Sequence, residues 1–216
     1  LPVDDLKSED AWNYGISFLQ NFNLFNKKSE IILDYYYTDF DNKVIVDWEN
    51  PYEISFYNLS GKSFAASFQS QFNYYINQNV ELKLAYKLYN VKTDYNSGRL
   101  TKPMTPKERL FINFNINSNL NDDGSQWKFD TTFNWIGEQR FSNRITNNPT
   151  FLPVDYEKFS PQFSTINAQL TRVFSEKFEV YLGVENLTNT KQQNPIMGSE
   201  NPFDQGFDTT FVYGPI

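Results

Sequence analysis

Residues 63–88 read SFAASFQSQFNYYINQNVELKLAYKL, and the alternation within this stretch decides the fold class. Successive side chains of a β-strand point to opposite faces, so a period of two indicates a strand with one apolar and one polar face. The apolar series consists of Phe64, Ala66, Phe68, Phe72, Tyr74 and Ile76, then Val80, Leu82, Leu84, Tyr86 and Leu88. A polar break at residues 77–79 separates its two halves, which predicts two long strands joined by a tight turn.

The same period of two recurs along the rest of the chain. It marks six further segments, at residues 12–24, 31–38, 110–117, 127–135, 166–170 and 178–184. Short turns (residues 26–29, 77–79, 121–124 and 175–177) alternate with long connections (residues 41–62, 93–106 and 137–161). The pattern predicts an all-β, antiparallel fold of about eight strands without a helix. Residues 188–216 read as a loop that becomes strand-like at 207–213.

Strand length and connection length together favour a membrane location. A transmembrane strand needs about 9–11 residues, and outer-membrane barrels have short periplasmic turns and long extracellular loops. Only closed sheets satisfy every backbone polar group in lipid, so the segments predict part of a transmembrane β-barrel. Trp12 and Trp135 fall near long connections and Trp127 near a short turn, where interfacial aromatic girdles are expected.

Two other β architectures fit the same alternation. A soluble β-sandwich binding module would bury Phe68 and Phe72 against a second sheet. A small passive or structural outer-membrane barrel of about eight strands would close on itself by pairing its first strand with its last.

Composition narrows the function classes. The 216 residues contain 18% aromatic side chains, with 21 Phe and 14 Tyr, yet the mean hydropathy is −0.60, as two-faced strands would produce. No Cys and no His are present, so neither a disulfide framework nor an imidazole or thiolate metal site can form. A net charge of −7 without a basic stripe argues against nucleic acid. Inward carboxylates such as Asp34 and Asp130 are scattered, so we predict no enzyme, no metal site and no cofactor.

Several longer motifs are more specific than the alternation. The stretch VYLGVENLTN at residues 180–189, AWNYG at residues 11–15, and WIG followed by QR at residues 135–140 occur in a characteristic order. In combination they resemble the C-terminal part of the β-barrel of TonB-dependent outer-membrane receptors of the Bacteroidetes type. The resemblance covers essentially residues 1–216.

The resemblance implies a fold and a function beyond what the alternation predicts. Such receptors have a barrel of about 22 strands with an N-terminal plug folded inside. Their expected cargo is a scarce nutrient such as an iron chelate, a corrinoid or another metal complex, with an oligosaccharide as an alternative. The implied partners are outer-membrane lipid, the remainder of the same receptor, TonB through the plug segment, and in some receptors a surface lipoprotein lid. Residues 1–216 match only the late barrel, without the plug or the final strand.

Ligand contacts, if this portion makes any, are expected in the long extracellular loops. Exposed aromatic and arginine side chains offer contact area and bidentate hydrogen bonds there. The candidates by position are Trp48, Glu49, Tyr52, Tyr95, Arg99, Arg140 and Phe141. The competing interpretation is that each of these residues packs the loops together.

Overall fold

A computed structural model describes residues 6–49, 54–142, 158–193, 195–196, 198–203, 207 and 211–216. Over this part of the chain the fold is all-β, and none of it forms a helix long and apolar enough to cross a membrane. The strands are β1 (Asp10–Leu24), β2 (Lys27–Asn42), β3 (Val44–Asp47), β4 (Ser55–Asn58), β5 (Ser63–Asn77), β6 (Val80–Tyr95), β7 (Gly98–Thr101), β8 (Glu108–Asn117), β9 (Gln126–Ile136), β10 (Phe163–Ser175) and β11 (Phe178–Val184).

Eight of these strands form one antiparallel sheet in the order β1-β2-β5-β6-β8-β9-β10-β11, and β7 pairs with the end of β6. Each long strand pairs with the next long strand along the chain, so the predicted antiparallel sheet of about eight strands is confirmed. The strand β11 has the bounds predicted for the segment at 178–184. The described strands β1 and β11 do not pair with each other, so the sheet is open and does not form the small closed barrel.

The four tight connections lie at one end of this sheet, the turn end, and the three long connections lie at the other, the loop end. Between β1 and β2 the turn comprises Phe25 and Asn26, not residues 26–29 as the sequence suggested. Both residues have positive φ angles, 51° and 61°, as a two-residue type I′ hairpin turn requires. Phenylalanine rarely adopts this conformation, which explains why the sequence pattern placed the turn too late.

Two of the long connections contain hairpins that the sequence analysis did not predict. The first connection, residues 43–62, holds the two-stranded sheet of β3 and β4. In the second, residues 96–107, β7 folds back onto the end of β6. These strands are only four residues long, too short for a period of two to be read from sequence.

The register keeps apolar and polar side chains on separate faces across the whole sheet. One cross-strand row from β2 to β10 runs through Ile31, Phe72, Leu84, Ile112, Phe133 and Ile166. The neighbouring row, one residue away in each strand, runs through Glu30, Asn73, Lys83, Asn113, Thr132 and Asn167. A slip of one residue in any strand would exchange its two faces, so this segregation fixes the register.

Nothing in the described structure covers the apolar face. Strands contact other strands substantially only where they are hydrogen-bonded neighbours, so no second sheet packs against this apolar face in the described structure. Phe68 and Phe72 are only partly buried, contrary to what the soluble sandwich requires. The buried hydrophobic side chains within the described ranges belong to the loop end, at Ile45, Leu59, Tyr95, Phe141 and Phe211.

The predicted girdle tryptophans lie at the ends of strands of the apolar face. Trp12 pairs with Asp39 near the loop end and is 63% exposed, and Trp135 lies near the same end of β9. Trp127 pairs with Arg172 at the turn end, where the guanidinium lies 5.2 Å from the indole ring centroid. The three tryptophans therefore lie near the two opposite ends of the sheet, where the two aromatic girdles of a barrel are expected. Their contact with lipid stays a prediction.

After β11 the chain returns toward the loop end without forming a strand in its described part. Asn186 adopts a φ of 50°, and its side chain donates to Thr190 O at 2.8 Å and accepts from Thr190 N at 2.9 Å. Asparagine tolerates this left-handed conformation well, which explains its place in the motif at residues 180–189. The strand expected at 207–213 is absent at 207 and 211–213, and residues 208–210 lie outside the described part.

Candidate functional site

The three long connections meet at the loop end through one buried ion pair. The Arg140 guanidinium, on the third connection, contacts the carboxylate of Glu49 on the first through both nitrogens, with Nη1–Oε2 at 3.1 Å and Nη2–Oε1 at 2.5 Å. Both side chains are 3% exposed. A bidentate geometry of this kind is the strongest form of a charge-assisted contact, and it links segments 91 residues apart.

Arg140 also holds the second connection. Its Nε donates to the carbonyl oxygen of Thr101 at 2.7 Å, and its own carbonyl oxygen accepts from the backbone N–H of Met104 at 2.9 Å. Its Nη1 donates further to Phe141 O at 2.8 Å. A single side chain therefore joins all three connections, and we call the described parts of residues 43–62, 96–107 and 137–162 the loop platform.

A second carboxylate, Asp47, organises the first connection within the platform. One oxygen accepts from the backbone N–H of Glu49 at 3.0 Å and the other from the Tyr57 hydroxyl at 2.7 Å. The Tyr57 oxygen in turn accepts from the backbone N–H of Asn96 at 3.1 Å. Burial and the hydrogen bond to Asp47 raise the pKa of Tyr57 to about 12, so this contact persists at neutral pH.

Two small hydrophobic clusters support these polar contacts. Ile45, Leu59 and Tyr95 pack together where the β3–β4 and β6–β7 hairpins meet. In the second cluster the rings of Phe141 and Phe211 meet edge to face at 5.2 Å, which ties the C-terminal segment to the third connection. An edge-to-face ring contact of this kind adds about 0.5–1.5 kcal/mol of stability to the free energy gained by burying the apolar area of the rings.

Two glutamines complete the attachment of the C-terminal segment. The Gln192 side chain donates to Phe211 O at 2.8 Å and accepts from Tyr213 N at 2.8 Å and Gly214 N at 3.2 Å. Gln139 donates to Tyr213 O at 3.1 Å. The loop platform and the end of the chain thus form one hydrogen-bonded unit.

The seven candidate contact residues separate into three groups. Glu49, Tyr95, Arg140 and Phe141 are buried within the platform, contrary to the exposure that we expected of them. Trp48 is partly buried, whereas Arg99 is exposed and pairs with Asp94 at 3.1 Å. Tyr52 lies outside the described residues. The four buried residues pack the loops together, and ligand contact by any of the seven stays a prediction.

In the sequence the acidic stretch Asp47-Trp-Glu49 allows two interpretations, a ligand contact or a solvated acidic loop. Both carboxylates are buried, at 8% and 4% exposure; Asp47 accepts from Tyr57 within the first connection, and Glu49 pairs with Arg140 of the third. Tyr57 and Thr101, which complete this network, could not be predicted because each contacts a residue that is not its neighbour in sequence. The mixture of aromatic and acidic residues at positions 47–49 was the sequence feature that pointed to this part of the chain.

The polar face of the sheet forms a second candidate surface. Its carboxylates accept from neutral donors, as in Asn73 to Glu30 at 2.7 Å, Ser17 to Asp34 at 2.5 Å and Asn115 to Asp130 at 2.9 Å. An open groove of about 530 Å³ lies beside Asp130 and Glu185 on this face. No three His, Cys, Asp or Glu side chains of the described residues converge as metal ligands would. The arrangement suits a hydrated polar wall better than a reaction centre.

Comparison with known proteins does not assign the chain to a family. The chain matches no protein-family model, and a search of curated proteins finds no relative.

Proposed function

We propose that this chain is the late barrel wall of a TonB-dependent receptor in the outer membrane of a bacterium. In this proposal the receptor imports a scarce nutrient, such as an iron chelate, a corrinoid, another metal complex or an oligosaccharide. The chain supplies wall and outer loops. Gating and energy coupling belong to the plug and to TonB, with a surface lipoprotein lid as a further partner in some receptors.

The observation that carries the proposal is the uncovered apolar face. Side chains such as Ile16 and Phe18 on β1 are 70% and 52% exposed, in continuous rows that extend over the neighbouring strands. An apolar surface of this extent is unfavourable in water, where large contiguous apolar patches mark interaction or membrane sites. Lipid would cover it, while the opposite face meets water, as in transmembrane barrels.

The edges of the sheet support a larger assembly. Strand β1 is exposed along nearly its whole length of 15 residues, and the described sheet offers no partner for its outer edge. A long unpaired apolar edge is an aggregation hazard in water and is not tolerated in lipid. In the proposal both edges pair with the remaining strands of the same receptor.

The loop platform fits the extracellular side in this orientation. Its connections are long and bonded to one another, whereas the connections at the opposite end are shorter, from the two residues Phe25-Asn26 to the eight residues 118–125. Outer-membrane barrels have this asymmetry. The platform would therefore form part of the outer vestibule through which a ligand approaches.

Alternating accessibility tests the proposal directly, because the chain contains no native cysteine. Single cysteines at Ile112 and Asn113 differ by one position and face opposite sides of β8. In membranes, Asn113→Cys should react with a membrane-impermeant maleimide, whereas Ile112→Cys should react only after detergent extraction. Phe68→Cys and Gln69→Cys provide a matched pair on β5.

Equal aqueous labelling at both members of each pair would contradict a membrane wall. Recovery of the chain in buffer without detergent would favour the soluble binding module instead. Reading the gene around this stretch tests the receptor assignment separately, since a plug domain upstream and a terminal aromatic strand downstream are expected.

A further inference from the structure

Two basic residues of the polar face stand directly opposite each other on neighbouring strands. Lys87 of β6 pairs in register with Arg109 of β8. Side chains at such paired positions have Cβ atoms about 4.5–5.5 Å apart, and like charges placed there destabilise a sheet. The arrangement therefore needs a compensating interaction.

Among the described residues, neither register neighbour of this pair is a carboxylate. In the same cross-strand row, Lys87 is flanked by Gln69 and Arg109 by Ile136. Asp34, one strand beyond Gln69, accepts instead from the Ser17 hydroxyl at 2.5 Å. Over the described part of the chain, neither Lys87 nor Arg109 forms an ion pair.

The nearby groups reinforce the positive character of this surface. Lys83 lies on the same face of β6, two positions within the alternation from Lys87. The Lys87 ammonium also lies 4.7 Å from the ring centroid of Tyr89, a cation–π contact that holds the ammonium without changing its charge. Arg109 is exposed and Lys87 only partly buried, so a solute can reach both. Glu108 is next to Arg109 in sequence but pairs with Leu88 on the apolar face.

We propose that Lys87 and Arg109 form a binding site for an anionic solute that carries carboxylate or phosphate groups. The planar guanidinium can donate two hydrogen bonds to one such group, and the lysine ammonium supplies a second charge beside it. The amide of Gln69 offers a neutral donor in the same row. The inference rests on the proposed function only in placing this face in the lumen, where the site would select negatively charged cargo.

The binding test uses the whole chain in detergent micelles at low ionic strength. Citrate and inorganic phosphate are the probes, sucrose is the uncharged control, and isothermal titration calorimetry is the measurement. Citrate should bind, and its affinity should fall as salt is added because charge interactions at a surface are screened. Lys87→Gln and Arg109→Gln should each weaken binding about three- to fivefold, as expected for exposed charge contacts.

Lys128→Gln is the matched control, since it removes one positive charge from the same face at the turn end. It should change the citrate affinity by less than about twofold once about 0.1 M salt shortens the screening length to about 10 Å, because Lys128 lies far along β9 from Ile136, the register partner of Arg109. Lys87→Arg keeps the charge and should retain binding. This variant also guards against loss of folding as the cause of a Lys87→Gln defect.

Thermal unfolding provides a second readout. Without citrate, Lys87→Gln should unfold at a higher temperature than the unmodified chain because the like-charge contact is removed. Citrate should raise the unfolding temperature of the unmodified chain more than that of this variant. Absence of citrate binding, or equal weakening by Lys128→Gln, would overturn the site. Either failure leaves the labelling test of the membrane wall unaffected.

Discussion

Arg140 and Glu49 form a buried bidentate ion pair although 91 residues separate them in the sequence. The pair closes the loop platform by joining its first and third connections, while Arg140 also reaches the second through Thr101 O. Buried pairs are not automatically stabilising, because both charges lose hydration. Removal of one partner is nevertheless costly, since the other charge loses its bidentate partner while it stays buried.

Arg140→Gln should therefore lower the free energy of unfolding by about 3–5 kcal/mol, or release the loop platform at a similar cost. Arg99→Gln is the matched control, because Arg99 pairs with Asp94 at an exposed site, and it should cost less than about 1 kcal/mol. Chemical unfolding measures the global effect, and hydrogen exchange of residues 43–49 measures local opening. Equal costs for the two variants would show that the buried pair does not hold the platform.

The ring of Tyr36 covers Gly15 on the polar face, where the two residues pair across β1 and β2. A Cβ atom added at Gly15 would overlap this ring. Gly15→Ala should thus destabilise the hairpin by about 1–3 kcal/mol through overpacking. Thermal unfolding of the variant in micelles is the measurement.

The control for this position is Gly183→Ala, where an added Cβ would meet only Ala168 O and Gln169 Oε1 at 3.8 Å. That variant should be nearly neutral. Removing the ring with Tyr36→Ala in the Gly15→Ala background should abolish the destabilisation that the added methyl group causes. If Gly15→Ala is as well tolerated as Gly183→Ala, the ring does not pack on the glycine as described.

The hydroxyl of Tyr57 gives a pH-dependent prediction. The folded chain raises its pKa from 10.0 to about 12, first by burial and then by the hydrogen bond to Asp47. A raised folded-state pKa means that the neutral hydroxyl contributes its full stability below pH 10.0 and loses it as the pH rises toward about 12. The first connection should therefore loosen only in this alkaline window.

Ultraviolet titration of tyrosinate measures the effect. Tyr57→Phe should remove one late-titrating group from the titration curve, and Asp47→Asn should shift the pKa of Tyr57 part of the way back toward its ordinary value. An unchanged late phase in Tyr57→Phe would mean that the hydroxyl is not held by Asp47.

The sheet could be predicted from sequence because each strand is specified by a local pattern, the alternation of apolar and polar residues. Phe68 and Gln69 differ in polarity because they face opposite sides, and such differences repeat at every second residue. The contacts of the loop platform are not local. Nothing near Glu49 in the sequence indicates that Arg140 will neutralise it, and burial, not residue type, decides whether an acidic loop binds solvent, ligand or another loop. The turn at Phe25-Asn26 was missed because an unusual residue occupies a left-handed position.

The segregation of the two faces gives the last prediction. Phe68 lies in the middle of β5 on the apolar face, paired with Tyr35 and Leu88, while Gln69 lies beside it on the polar face. If lipid covers the apolar face, Phe68→Lys places a charge near the centre of the bilayer, which costs about 2–4 kcal/mol. Gln69→Lys adds the same charge to a hydrated face and should be tolerated. Assembly into the outer membrane, measured by fractionation and protease resistance, should decrease for Phe68→Lys alone. Equal assembly of both variants would contradict lipid on the apolar face, because a solvated surface would accept lysine at either position.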